Sequence, residues 1–152
     1  MSPRINIVDL APTAYTHMAG VERWLASSQL PATTLHLVKL RVSQINGCGF
    51  CVDMHSHEAR GDAETDERLF SVAAWREAPY FTAAERATLA LAEEATRLAD
   101  RDGQAVPAEV WDEAAHHYDE ETLAALVIAI AQINAWNRIG VTTRQVAGSH
   151  RR

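Results

Sequence analysis

The 152-residue sequence has only two cysteines, Cys48 and Cys51, too few for the multi-bridge framework that stabilises small secreted domains. Positive charge is also scarce. Fourteen Lys and Arg against twenty Asp and Glu leave a formal net charge of -6, which argues against nucleic-acid grooves and anionic-membrane surfaces, since both need clustered basic residues. The opening MSPRINIVDLAPTAY lacks the apolar segment and small-residue cleavage site of a secretory signal. No later stretch reads as long and apolar enough to span a bilayer, so the expectation is a cytoplasmic protein. The closing Ser149-His150-Arg151-Arg152 reads as a frayed tail. No Asn-Gly or Asp-Gly pair separates two alternating stretches, and there is no internal repeat or low-complexity segment.

At 47% hydrophobic residues, the chain can bury one real core, and nothing in it marks a second domain. Apolar spacing is helical almost throughout. Tyr15, Met18, Val21, Trp24 and Leu25 recur at threes and fours. Pro31 suits a first-turn position, and Leu35, Val38, Val42 and Ile45 continue to Asn46-Gly47, a stop signal. A further helix runs from the cysteines to about Arg60 and ends at Gly61. Residues 64–79 support a helix carrying Leu69, Val72, Ala73 and Trp75, limited by Pro79. Thr82 to Glu85 is a capping box ahead of Leu89, Leu91, Ala92 and Leu98. The linker DRDGQAV leads to Pro107 and a short helix through His117, and Asp119 can cap a long last helix through Asn134. Its apolar run LVIAIA fits a buried strand or a helix by periodicity, but length and Ala content favour the helix. The reading is all-α.

Chemistry concentrates in INGCGFCVDMHSHEAR, residues 45–60. With side chains advancing about 100° per residue, Cys48, Cys51 and His55 share one narrow helix face. A helix N-terminus favours a thiolate, and an imidazole four residues on can take the thiol proton. Such a pair can attack an electrophile such as a peroxide O–O bond, and the second thiol can then condense with the sulfenic acid. Position nearer the helix start favours Cys48 as the attacking sulfur, whereas the spacing to His55 favours Cys51. Two other readings compete: buried thiols acting as small hydrophobes, and a zinc site. C-x2-C-x3-H offers three ligands, but His57 lies roughly 200° from His55 on the same helix and cannot easily supply the fourth.

The stretch LVKLRVSQINGCGFCVDMH (37–55), together with INAWNR (133–138), closely resembles the alkylhydroperoxidase D-like branch of the carboxymuconolactone decarboxylase family. The similarity runs from about Tyr15 to Arg144 in element order and is dense in those two blocks. The resemblance implies a single-domain helical bundle of about six to seven helices within 1–152, with its core at about 15–144. It also implies homo-oligomers and peroxidase activity with no metal or bound cofactor. Carried over, Cys51 attacks the hydroperoxide, Cys48 resolves, and His55 belongs to the proton relay. The reductant would be a thioredoxin-like protein or a dihydrolipoyl carrier. Two positions depart from the family pattern. His36 stands where the relay has Glu, and Phe50 replaces a second His. His36 can pass a proton but cannot lend negative charge to His55; its bland alternative is a solvent-facing side chain. Phe50 would shield the pocket. Slow peroxidase activity, or a substrate other than alkyl hydroperoxides, is the expectation. The competing classes are a lactone decarboxylase and a non-catalytic redox or zinc module.

Other candidates read as structural. Asp53 and Glu58 face water, as charged residues on a solvated helix usually do. His116 and His117 point in different directions on a surface helix, Trp136 packs in the core, and Arg138 lies at a helix end.

Overall fold

A computed structural model of the chain describes residues 2–100, 103 and 105–151. Arg101, Asp102 and Gln104 of the expected linker, and Arg152 of the tail, lie outside the described residues. Among the described residues there are eight α-helices and no strand: α1 (Ile7–Leu10), α2 (Pro12–Ala26), α3 (Ala32–Ile45), α4 (Gly49–Gly61), α5 (Asp66–Ser71), α6 (Ala83–Thr96), α7 (Ala108–His117) and α8 (Glu120–Thr143). Short 3-10 turns occupy Val72–Ala74, Leu98–Asp100 and Ser149–Arg151.

Local chemistry sets most boundaries. The Thr82 hydroxyl accepts from the Glu85 backbone N–H at 3.2 Å, and the Glu85 carboxylate accepts from the Thr82 N–H at 2.8 Å, so the capping box starts α6 by satisfying two orphan donors. Asp119 caps α8 through the Thr122 N–H at 2.8 Å. Pro31 sits just outside α3 as its cap, one position earlier than expected, and its carbonyl accepts the first bond, from the Leu35 N–H.

The helix expected across 64–79 is much shorter. α5 stops at Ser71 and tightens into a 3-10 turn. Leu69, Val72 and Trp75 are three apart, a spacing that aligns on one face when the winding tightens to three residues per turn, and all three are buried. Ala73, expected on that face, is exposed.

α3 lies at the centre, packed against α4, α6 and α8. Leu35, Val38 and Val42 join Leu91, Leu126, Ile130 and Ile133 in one apolar cluster; Leu37 and Leu40 join Leu69, Val72, Trp75, Phe81 and Leu89 in another. Apolar residues on two faces of α3 are thus each covered by a different set of neighbours. Between these layers Glu93, 2% exposed, accepts hydrogen bonds from Arg41 Nε (2.6 Å), Trp75 Nε1 (2.9 Å) and Arg76 Nη1 (2.6 Å). Burial alone would raise its pKa, but those three donors outweigh it and hold the carboxyl below its ordinary 4.5.

Two expectations are corrected. By length and composition α8 is long and apolar enough to cross a membrane. Here it serves as a core helix, with Leu123, Leu126, Ala129, Ile130 and Ile133 buried against the rest of the fold. The C-terminal segment through Arg151 does not fray. It folds back onto α4, where the Asp53 carboxylate accepts from the Gly148 N–H at 2.9 Å and from Arg151 Nη1 at 2.7 Å.

Candidate functional site

The chain reverses after α3 at Gly47, whose φ of +66° lies in the left-handed region that a residue without a Cβ adopts freely. Cys48 then caps α4, its Sγ accepting from the Cys51 backbone N–H at 3.4 Å. Cys48 and Cys51 are joined by a disulfide across Cα atoms 5.3 Å apart, and both are buried, at 1% and 2% exposure.

α8 closes the site from the opposite side. A Cβ at Gly140 would lie 2.9 Å from Cys48 Sγ and 3.6 Å from Cys51 Sγ, so this helix approaches the sulfurs as closely as it does only because position 140 lacks a side chain. The turn itself is pinned by amides. Asn46 Nδ2 donates to Asn134 Oδ1 at 3.0 Å and to Asn137 Oδ1 at 2.9 Å, while Asn137 Nδ2 donates to Ser43 Oγ at 3.0 Å. The block 133–138 is thereby bonded to the end of α3. Arg138 is not at a helix end, as expected, but inside α8, where it donates to the Asn134 carbonyl and side chain. Trp136 packs against the core and donates to Glu22 at 2.8 Å.

One turn beyond Cys51, His55 is 4% exposed. Its Nδ1 lies 2.8 Å from Glu58 Oε2, and its Nε2 is buried without a hydrogen-bond partner. Glu58 therefore does not simply face water: although 48% exposed, it turns back to the imidazole. The hydrogen bond with His55 does most to hold its carboxyl below the ordinary 4.5, against a cost of burial and with help from the charges of His55, Lys39 and His36. The i,i+3 spacing was the available signal in the sequence. His36 is not solvent-facing either. It is 13% exposed, its Nε2 lies 2.7 Å from Asp62 Oδ2, and its Nδ1 is buried and unpartnered.

Asp53 is also engaged rather than free, and its carboxyl is held below its ordinary 3.8 chiefly by the Arg151 hydrogen bond. His57 departs from the sulfur-bearing face as expected; it is 55% exposed and its Nδ1 donates to the Asp53 carbonyl at 2.7 Å. The Phe50 ring meets His150 of the returning C-terminal segment edge-on, with centroids 5.7 Å apart. His116 is at the surface, and His117, half-buried, pairs with Glu113 at 3.3 Å.

Residues 10–94 match the model of the Carboxymuconolactone decarboxylase family. The uncharacterized protein YdfG of Bacillus subtilis is 39% identical over 149 residues, covering 98% of this chain and 99% of its own. YnjA of Escherichia coli is 30% identical over 113 residues, 73% of this chain and 60% of its own. Among solved structures, ATU0492 of Agrobacterium tumefaciens, a protein of unknown function provisionally assigned to antioxidant defence as AhpD, superposes with a TM-score of 0.91 at 36% identity, over 96% of this chain and 98% of its own. The debrominase Bmp8, solved with 2,3,4-tribromopyrrole, shares the fold at a TM-score of 0.80 but only 18% identity, over 93% of this chain and 74% of its own.

Proposed function

Because the chain belongs to the carboxymuconolactone decarboxylase family, we propose that it is a cytoplasmic thiol peroxidase working through a Cys48–Cys51 dithiol/disulfide cycle. The observation that carries this reading is a buried, disulfide-capable pair at the start of α4 with His55 one turn beyond Cys51. In the reduced state His55 takes the Cys51 proton. The thiolate attacks the terminal oxygen of a hydroperoxide, the O–O bond breaks, Cys51 becomes a sulfenic acid, and the departing alkoxide takes the proton from His55. Cys48 then condenses with the sulfenic acid, giving the disulfide and water. The disulfide in the structure corresponds to the oxidised end of this cycle.

Cys48 suits the resolving role. Its sulfur is already held over the first turn by the Cys51 N–H, whereas Cys51 has the imidazole at i+4. A thioredoxin-like protein or a dihydrolipoyl carrier would return two electrons and two protons, and the chain would act as a homo-oligomer.

The test is hydroperoxide consumption with dihydrolipoamide or a thioredoxin system as donor. Cys51→Ser should abolish turnover, and Cys48→Ser should stop after a single equivalent because the sulfenic acid has no partner. Consumption at the parent rate by Cys51→Ser would end the assignment of Cys51. Carboxymuconolactone turnover that survives loss of both thiols would replace the peroxidase reading with the lactone one.

A further inference from the structure

His55 is almost fully buried, yet only one of its ring nitrogens has a partner. Nδ1 faces the Glu58 carboxylate at 2.8 Å, and Nε2 has none. A carboxylate only accepts hydrogen bonds, so Nδ1 carries the proton in this pair and the neutral ring keeps its lone pair on Nε2. That is the tautomer a base needs. Cys51, His55 and Glu58 follow one another along a single helix at intervals of four and three residues, which places each beside the next on one face.

We propose that Glu58 is the positioning residue of the thiol site: it holds the His55 ring in the Nδ1–H tautomer and compensates the positive charge formed when Nε2 takes the Cys51 proton. The proposal rests on the peroxidase reading and adds a residue to it. No new bond is made to Glu58; the proton moves from Cys51 Sγ to His55 Nε2 and later to the leaving alkoxide, while Glu58 stays ionised throughout. A carboxylate behind a histidine is the general arrangement by which an imidazole is oriented toward a nucleophile.

The rest of the neighbourhood points the same way. The other ionisable groups acting on Glu58 are His36 and Lys39, both from α3, and neither can supply negative charge. Asp62, just past the end of α4, is occupied with His36. Glu58 is therefore the acid in contact with His55, in a chain whose position 36 carries an imidazole.

Glu58→Gln tests this, because it preserves side-chain size and an oxygen that can accept from Nδ1–H but removes the charge. In a Cys48→Ser background Cys51 is the sole thiol, and its thiolate can be titrated by ultraviolet absorbance. Adding Glu58→Gln should move the midpoint upward by about one pH unit. In the otherwise unaltered chain it should slow hydroperoxide reduction at neutral pH by about tenfold or more, with unchanged helical circular dichroism. In a His55→Gln background the same substitution should change the rate by less than about twofold, since a residue acting through His55 has nothing left to act on. A thiolate midpoint that does not move, or an equal loss of rate with and without His55, would overturn the proposal. If the parent consumes no hydroperoxide with any donor, the peroxidase reading fails alone, and the thiolate titration still decides the role of Glu58.

Discussion

Asn46 shows what a single side chain contributes at this site. It ends α3, precedes the Cys48 turn by two residues, and donates to two amide oxygens of α8. Removing it orphans the Asn137 oxygen, on a side chain with 0% exposure, whereas Asn134 keeps its Arg138 donor. Leaving one buried acceptor unpaired costs about 1–3 kcal/mol. Asn46→Ala should lower the free energy of urea unfolding by that amount, and a variant as stable as the parent would show that water replaces the lost donor. Legibility at this scale divides by distance along the chain. That Cys51 and His55 share one face of α4 follows from helical spacing alone. Asp53 reads from the sequence as facing water because its partners, Gly148 and Arg151, lie some ninety-five residues away and carry no local signal. Glu58 carries a local signal, its i,i+3 relation to His55, which outweighs the usual preference of a charged helix residue for water.

Several elements began where short-range chemistry required, while α5 ended where packing required. The caps at Thr82 and Asp119 are formed by neighbouring residues, and both were readable from the sequence. The exit of α5 into a 3-10 turn was not, because it depends on lining Leu69, Val72 and Trp75 against α3 and α6. α8 carries the sharper lesson. A glycine inside a helix costs about 1 kcal/mol relative to alanine, so Gly140→Ala would stabilise an isolated helix. In the folded protein the added Cβ meets Cys48 Sγ at 2.9 Å, and overpacking of this kind costs about 1–3 kcal/mol. The second effect should win, giving a net loss of up to about 2 kcal/mol by chemical denaturation. A more stable Gly140→Ala protein would mean that α8 can retreat from the dithiol without penalty.

Across the whole molecule, paired acids tie stability to pH. Glu93 is nine-tenths or more buried among Arg41, Trp75 and Arg76. Glu85 resists the upward push of its burial through Arg68 and the Thr82 backbone, and Glu58 is held down chiefly by His55. All three sit below the ordinary value of 4.5. A depressed carboxyl contributes stability that is fully present above the unfolded value and is lost as pH falls through the folded one. Unfolding free energy should therefore be insensitive to these groups above about pH 5 and fall steadily below about pH 4.5. Glu93→Ala removes one partner of a buried pair and should cost about 3–5 kcal/mol at neutral pH, with a shallower acid slope in denaturant titrations than the parent shows. An unchanged slope would mean that Glu93 is not among the groups that protonate on acid unfolding.

Helical class, the capped starts and the placing of Cys51 and His55 on one face of α4 were determined by the sequence itself, because each depends on residues within about one turn of one another. The tertiary structure decided everything that joins distant segments. It brought Gly140 against the sulfurs, pinned the Cys48 turn to α8 through Asn46, and folded the chain end onto Asp53. Those contacts arise only when α3 is buried among α4, α6 and α8, and periodicity along one chain says which face of a helix is apolar, not which other helix will cover it.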